Sequence, residues 1–301
     1  MSTPLDSLMV DLIAKIEAGT LPWRQPWTRT NTDPHTPLRA DGQPFSGSNA
    51  WLLAFAGATR GYSSPYWFTF KQALAMEAPV AKGEKAAPAL LYRTRTVGEE
   101  TGVDGVEARV LCYLKTYAVF NAEQLKDCPR AFCSAPAVDK AHRAATRNAV
   151  LDAVPARIEL TGQQPCYIPS LDLIRLPPPE NFRSPEDFLA TKAHEMLHWT
   201  GAPERLDREF GKRFGDQAYA FEELVAEIGA AAMGLRIGLP PRMLDDHASY
   251  LAHWVKILKS RPSALLEASG HAQRAVDHLL GYGLATKENE DPKATGWGPF
   301  A

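Results

Sequence analysis

Little in this chain is extreme, and each shortage excludes something. Four cysteines in 301 residues, Cys112, Cys128, Cys133 and Cys166, show no CxxC spacing. That excludes a disulfide-built scaffold and leaves reduced thiols in a cytoplasmic protein as the expectation. Cys128 and Cys133 would make half of a second metal site, but no matching Cys/His pair follows them. Formal net charge is only -2, so no global positive field draws the chain to nucleic acid, and such contact must come from a local patch. No apolar run is long enough for a bilayer; residues 228–235, the most apolar stretch, are far too few. Asp6, Asp11 and Glu17 interrupt the amino terminus, so it lacks the basic start and apolar core of a signal peptide. No internal repeat is visible, and no membrane partner is expected.

What is present is ordinary globular composition, 45% hydrophobic and 23% charged, in a length that suits two domains. The pattern predicts an α+β chain: a small mixed α/β domain over 1–130, a mainly helical domain over 138–286, and a flexible tail over 287–301. Leu8, Leu12 and Ile16 recur at helical spacing and predict a first helix ending near Gly19. A second helix is expected after a Ser48-Asn49 cap, and Thr69 is placed to cap a short third one. Residues 89–95 and 109–119 are rich in β-branched and aromatic side chains and read as two strands joined by an acidic loop, 98–108. Prolines and small residues over 127–137 mark the domain boundary. A helix from Asp139 to Asp152, strands at 157–160 and 172–176, and helices near 219–236, 241–258 and 262–282 complete the second domain.

Chemistry concentrates on His194-Glu195-Met196-Leu197-His198. Ser184-Pro185-Glu186-Asp187 just before it has the form of a helix start: a hydroxyl cap, proline at the first helical position and acids in the first turn. On that helix two histidines four apart share one face. Zinc favours imidazole nitrogen, and a catalytic site uses three protein ligands plus an open position for water. Glu195 sits beside the histidine face as the base. Such a five-residue string also arises by chance; a capped helix followed by a second, acid-bearing helix sets this one apart. In that second helix Glu223 and Glu227 share a face, while Phe221, Leu224, Val225 and Ile228 point to the core. Glu223 is read as the third ligand and Glu227 as the carboxylate behind a histidine, with the reverse assignment as the alternative and Glu222 as a third. One Zn2+ per chain is expected, with Mn2+ as the alternative. Tyr167, Tyr219 and His247 are unranked candidates for stabilising an oxyanion, and the strand Asp172–Leu176 is expected to be the edge that receives an extended peptide.

Four of the seven tryptophans, Trp23, Trp27, Trp51 and Trp67, lie in the first 70 positions. Arginines and lysines are interleaved with them, ten against seven acids over residues 1–95. Aromatic faces with cations suit single-stranded nucleic acid; the competing reading makes the same aromatics the core of a small domain. The residues assigned to DNA are Trp23, Arg24, Trp27, Asn49, Tyr62, Trp67, Lys71, Lys82 and Lys85.

Blocks spanning nearly the whole chain then carry a resemblance. In the first half they are Pro22-Trp23-x-x-Pro26-Trp27, Ser46-Gly47-Ser48-Asn49, Gly61-Tyr62, Trp67-x-Thr69-Phe70-Lys71-Gln72 and Lys82-Gly83-Glu84-Lys85. In the second they are Tyr167-x-Pro169-x-x-Asp172-x-Ile174-x-Leu176-Pro177, His194 to Gly201, Arg205-Leu206-x-Arg208, Phe214-Gly215 and Glu222-Glu223-Leu224-x-Ala226-Glu227. The sequence resembles the ArdC family of plasmid antirestriction proteins, whose first domain is shared with certain conjugative primases. The family often has Gly where Glu77-Ala78-Pro79 stands here. The resemblance implies a single-stranded-DNA-binding domain followed by a zincin-like metallopeptidase domain, and protection of incoming plasmid or phage DNA from host restriction. Its partners would be single-stranded DNA and an unidentified protein substrate, a restriction or regulatory protein. Two alternatives stand beside this: a DNA-binding shield with a structural metal site, and a regulatory peptidase that cleaves a repressor. An intact Glu195 argues against a purely structural site, which needs no base.

Overall fold

The computed structural model describes residues 4–21, 36–102, 105–134, 140–210, 217–239 and 247–290. The first helix, α1 (Pro4–Glu17), is followed by α2 (Ser48–Arg60). Gly47 caps α2, not Ser48, and Gly47 is held at φ 57°. Asn49 does different work: its amide donates to the Leu90 carbonyl and accepts from the Leu90 N–H, both at 2.7 Å. Helix α2 is thereby splinted to the sheet that follows.

That sheet holds β1 (Trp67–Thr69), β2 (Ala87–Gly102) and β3 (Gly105–Asn121), antiparallel in the order β1-β3-β2. Thr69 caps α3 (Phe70–Ala75) through a reciprocal capping box with Gln72, so both orphan groups are satisfied. The expected loop 98–108 is not a loop. The ladder continues through Glu99↔Ala108 and Thr101↔Val106 to Gly102↔Gly105, past a register shift between Thr96 and Glu99. Backbone pairing with the neighbouring strand outweighs the acidic composition there. Glu77 adopts φ 58°, the left-handed region that favours glycine, at the place where the family often has one.

The second half opens with α4 (Lys140–Asp152) and a three-stranded sheet of β4 (Arg157–Leu160), β5 (Cys166–Ile168) and β6 (Leu173–Leu176). Its order is β4-β6-β5, with β4 parallel and β5 antiparallel to β6. The strand expected to be the edge is therefore the centre of the sheet, and the edges are β4 and β5, the latter three residues between Pro165 and Pro169. Four helices complete the described residues: α5 (Pro185–Trp199), α6 (Gln217–Ile237), α7 (His247–Ser260) and α8 (Ala264–Glu290). Helix α8 runs beyond Lys287, where the tail was expected to begin.

Packing does not respect a boundary between the halves. One buried cluster joins Met9, Leu12, Ile13, Ile16, Trp51, Leu52 and Leu90 to Leu224, Val225, Ile228, Trp254 and Leu265. The apolar stripe of α1 is thus covered by α6, α7 and α8 of the second half. Polar bonds cross as well: Trp51 donates to the Ser269 hydroxyl at 3.3 Å, and the Thr36 hydroxyl to the Leu235 carbonyl at 2.7 Å. A separate cluster of α4, α5, α6, α8 and β6 residues, including Leu151, Ile174, Leu197, Met233 and Leu279, lies under the histidine helix. Helices α5 and α6 approach closely because Gly229 has no side chain; a Cβ there would lie 3.0 Å from the Leu197 methyls.

Candidate functional site

Helix α5 starts as its sequence dictates. The Ser184 hydroxyl accepts from the Asp187 N–H at 3.1 Å, Pro185 fills the first turn, and Glu186 and Asp187 face the positive end of the helix dipole. Burial deepens toward the other end, from Ala190 to Trp199. There His194, Glu195 and His198 are nearly inaccessible, as are Glu222, Glu223 and Glu227 on α6. So many buried ionisable groups are costly unless each is paired or holds an ion.

The pairing has a clear order. Both Nε2 atoms turn to one carboxylate: His194 Nε2 lies 3.7 Å from Glu223 Oε2, and His198 Nε2 lies 3.6 Å from Glu223 Oε1. Each Nδ1 turns to a different carboxylate. His198 Nδ1 lies 3.2 Å from Glu222 Oε1, and His194 Nδ1 lies 3.7 Å from Glu227 Oε1. Two imidazole nitrogens and one carboxylate oxygen fall within 4.8 Å of one another. Tetrahedral ligands about 2.0–2.2 Å from a zinc ion stand roughly 3.4 Å apart, so the His–Glu223 separations fit an ion between them. Glu222, the third-ranked ligand candidate, is turned away to back His198, while Glu227 faces the far side of His194.

Charge follows geometry. Burial alone pushes the His198 imidazole down, but Glu223, then Glu222 and Glu195, raise it to about 9. Burial pushes Glu223 up; the charges of His198 and His194 and a hydrogen bond from Tyr219 outweigh it and bring it to about 2. Glu222 is likewise held low against its burial, by hydrogen bonds from Arg208 and His198. Arg208 was not singled out beyond its place in the resemblance. Its guanidinium is buried and spends Nε and Nη2 on the two Glu222 oxygens, at 2.9 and 2.7 Å.

The three oxyanion candidates separate. Tyr219 bonds the Glu223 carboxylate, which places it at the site. Tyr167 is engaged elsewhere: its hydroxyl donates to Asp172 at 2.9 Å and accepts from Arg205 at 3.2 Å, and burial with the Asp172 bond pushes it up to about 12. Arg205 also stacks 3.9 Å from the Trp199 ring and donates to the Trp199 carbonyl, closing the end of α5. His247 begins α7, and its side chain lies outside the described residues. Edge strand β5 runs beside the base: burial, then the Glu195 charge, pushes the Cys166 thiol up.

In the first half, Trp67 is 2% exposed and packs with Phe45, Leu53, Ala87, Ala89 and Val119. A side chain so enclosed has no free face for a base, so the core reading replaces the DNA reading at that position. Tyr62 is half-buried with its ring edge-on to Trp67, 6.0 Å between centroids. Asn49 is occupied by Leu90. Lys71, Lys82 and Lys85 are exposed. Trp23, Arg24 and Trp27 lie outside the described residues. The exposed aromatic that was missed is Phe70, 52% accessible beside Lys71; its only signal was its place in the Trp67–Gln72 block. A cleft of about 730 Å³ opens between α1, α2 and the β2–β3 hairpin, with Phe55, Tyr117, Lys15, Arg60 and Asp11 among its walls. None of the histidine-site residues lines it.

Comparison with known proteins decides the family. Residues 5–120 match the N-terminal domain of anti-restriction factor ArdC, and residues 145–271 match a zincin-like metallopeptidase domain. The metal-free crystal structure of the antirestriction protein ArdC from plasmid R388 is 35% identical, with a TM-score of 0.77 over 94% of this chain and 99% of that one. The chain belongs to the ArdC family. The manganese(II)-bound structure of the same R388 protein superposes with a TM-score of 0.76 at 34% identity, over 94% of this chain and 98% of that one. An Escherichia coli DNA primase, TraC, is 34% identical over 293 residues, 90% of this chain but 26% of TraC; the chain thus spans about a quarter of that primase. The uncharacterized protein y4eC of Sinorhizobium fredii is 32% identical over 93% of this chain and 92% of its own length. No helix among the described residues is long and apolar enough to cross a membrane.

Proposed function

We propose that this ArdC-family chain is a metal-dependent peptidase fused to a half that binds single-stranded DNA, and that it protects incoming plasmid or phage DNA from restriction. The observation that carries the peptidase reading is the convergence of His194, His198 and Glu223 on one point, with buried Glu195 beside it. The donor set of two imidazoles and a carboxylate suits Zn2+ first; the manganese(II)-bound R388 relative keeps Mn2+ as the alternative. A bound ion supplies a water acidified toward neutrality and polarises a carbonyl. Glu195 then takes the proton of the attacking water and passes it to the leaving amine. Tyr219, within reach of Glu223, is the candidate to steady the developing oxyanion. An extended peptide would add to the free edge of β5, which runs beside Glu195.

The DNA reading rests on exposed Lys71, Lys82 and Lys85 with Phe70, whose ring is about half accessible and edge-on to Phe120. Cations along a backbone and an accessible aromatic ring are what sequence-independent single-strand binding needs. The unidentified substrate would be a restriction or regulatory protein met near the entering strand, in the cytoplasm.

A Glu195→Ala variant tests the whole reading. Metal and single-strand binding should persist, while peptidase activity falls by about 10²–10⁴-fold. Full protection by that variant in a conjugation assay would separate protection from proteolysis and leave the DNA-binding shield.

A further inference from the structure

We infer that Arg208 is a positioning residue of the metal centre: acting through Glu222, it fixes which nitrogen of His198 faces the ion. This rests on the metal reading above. A neutral imidazole carries its proton on one nitrogen and a lone pair on the other, and only the lone pair can ligate. Glu222 Oε1 stands 3.2 Å from His198 Nδ1. A carboxylate that only accepts selects the Nδ1–H form of the neutral, ligating imidazole, which would leave the Nε2 lone pair for an ion on the Glu223 side, where Nε2 lies 3.6 Å from Oε1. Carboxylates in this role orient metal-bound histidines widely.

Glu222 is closed off from solvent, so protein partners alone set which way its carboxylate points. Arg208 supplies the counter-charge as a two-pronged fork, Nε to Oε2 at 2.9 Å and Nη2 to Oε1 at 2.7 Å. Its remaining contacts tie the fork to the helix that carries His198. Nη2 donates to the Leu197 carbonyl at 2.7 Å, and Nη1 to the Thr200 hydroxyl at 2.8 Å. Gly201 leaves the space for it; a Cβ there would sit 2.9 Å from Nη2. Arg208 thus references Glu222 to α5 without touching the ion. A lysine would restore charge but not the planar fork.

The test uses the full chain, with Zn2+ affinity from chelator competition and the visible spectrum of the Co2+-loaded protein. Arg208→Gln is expected to weaken Zn2+ binding about 10–100-fold and to shift the Co2+ spectrum, with Arg208→Lys in between. Because the effect runs through Glu222, adding Arg208→Gln to Glu222→Gln should cost less than about 2-fold more, against a full second loss if the two act independently. A folded Arg208→Gln with wild-type Zn2+ affinity and Co2+ spectrum overturns the inference, as does full multiplication of the two losses. Where Arg208→Gln does not fold, Glu222→Gln decides, and wild-type affinity there overturns it. A wild-type chain that takes up neither ion sinks the metal reading itself, a distinct result.

A second, independent observation concerns Cys128 and Cys133. The short turn Arg130–Phe132 folds Cys133 back toward Cys128: its thiol lies 3.8 Å from the Cys128 carbonyl and 3.6 Å from the Pro129 carbonyl, and burial, then the neighbouring Cys133, pushes the Cys128 thiol up. Cys133 is exposed and Cys128 half-buried. We propose that this pair is a reversible oxidation site for peroxide. Cys133 sulfur attacks the peroxide O–O bond, giving a sulfenic acid and one water; Cys128 sulfur then displaces the second water and closes the disulfide. Both thiols lose their hydrogens and the peroxide is reduced to two waters. Stoichiometric hydrogen peroxide should remove two hydrogens from the intact chain, reversibly with dithiothreitol, and join the tryptic peptides on either side of Arg130. Cys133→Ser should abolish the link. Only intermolecular cross-links, or an unchanged mass, overturns the proposal.

Discussion

Metal loading should release one proton, and the release should be steep in pH. In the metal-free protein His198 sits at about 9, held there by Glu223, Glu222 and Glu195 against its burial. At pH 7 the imidazole is therefore protonated and must give up its proton before Nε2 can ligate. Two pH units correspond to about 3 kcal/mol, or on the order of 100-fold in apparent affinity. Between about pH 6.5 and 9 the apparent Zn2+ dissociation constant should fall about tenfold per unit, and flatten above. Stability moves the other way in the metal-free chain. The folded value lies above the unfolded one of about 6.5, so this stabilisation is complete below about pH 6.5 and is lost as pH rises through about 9, by up to about 3 kcal/mol. Metal-free chains should thus melt at lower temperature at pH 9 than at pH 6.5, and Zn2+ should close the gap. Chelator competition corrected for chelator protonation, with calorimetry in buffers of differing ionisation enthalpy, measures both. An affinity independent of pH over 6.5–8.5, with no proton released, would refute the reasoning.

Three further outcomes follow from the packing. The cluster shared by α1, α2, α6, α7 and α8 should make the two halves melt together, so Leu224→Ala, at about 2–5 kcal/mol, should lower a single transition; two separate transitions by calorimetry would contradict a common core. Trp67→Ala should cost about 3–5 kcal/mol in denaturant unfolding, whereas Phe70→Ala should leave stability within about 1 kcal/mol and weaken single-strand binding. Gly229→Ala brings a methyl to 3.0 Å from Leu197 and should destabilise by about 1–3 kcal/mol while lowering metal affinity through the shifted α5–α6 spacing; unchanged affinity in a destabilised variant would show that the histidines tolerate that shift.

The parts legible from sequence are those whose signal is periodic or local. Histidines four apart behind Ser184-Pro185 specify a helix face without help from the rest of the chain. Glu223 stood out because Leu224, Val225 and Ile228 fixed which way α6 must turn. Glu222 was ranked only third, as a ligand, and its pairing with Arg208 was not visible, since that pairing depends on a loop that carries residue 208 back to α6 at no regular spacing. The edge strand β5 escaped because three residues between prolines carry no alternation to read. The hairpin ran longer than composition indicated, because ladder pairing belongs to two strands jointly. Trp67 shows the limit on aromatic residues: composition cannot distinguish a ring that stacks from one that packs. The break at 127–137 is visible in composition, yet the stripe of α1 gave no sign that its partner lies more than 200 residues away.

The most direct test is metal stoichiometry by native mass spectrometry and elemental analysis on three chains. Wild type and Glu195→Ala should each hold one Zn2+ per chain, and Glu223→Ala should lose it while remaining folded. Undiminished Zn2+ in Glu223→Ala would contradict the site built on His194, His198 and Glu223.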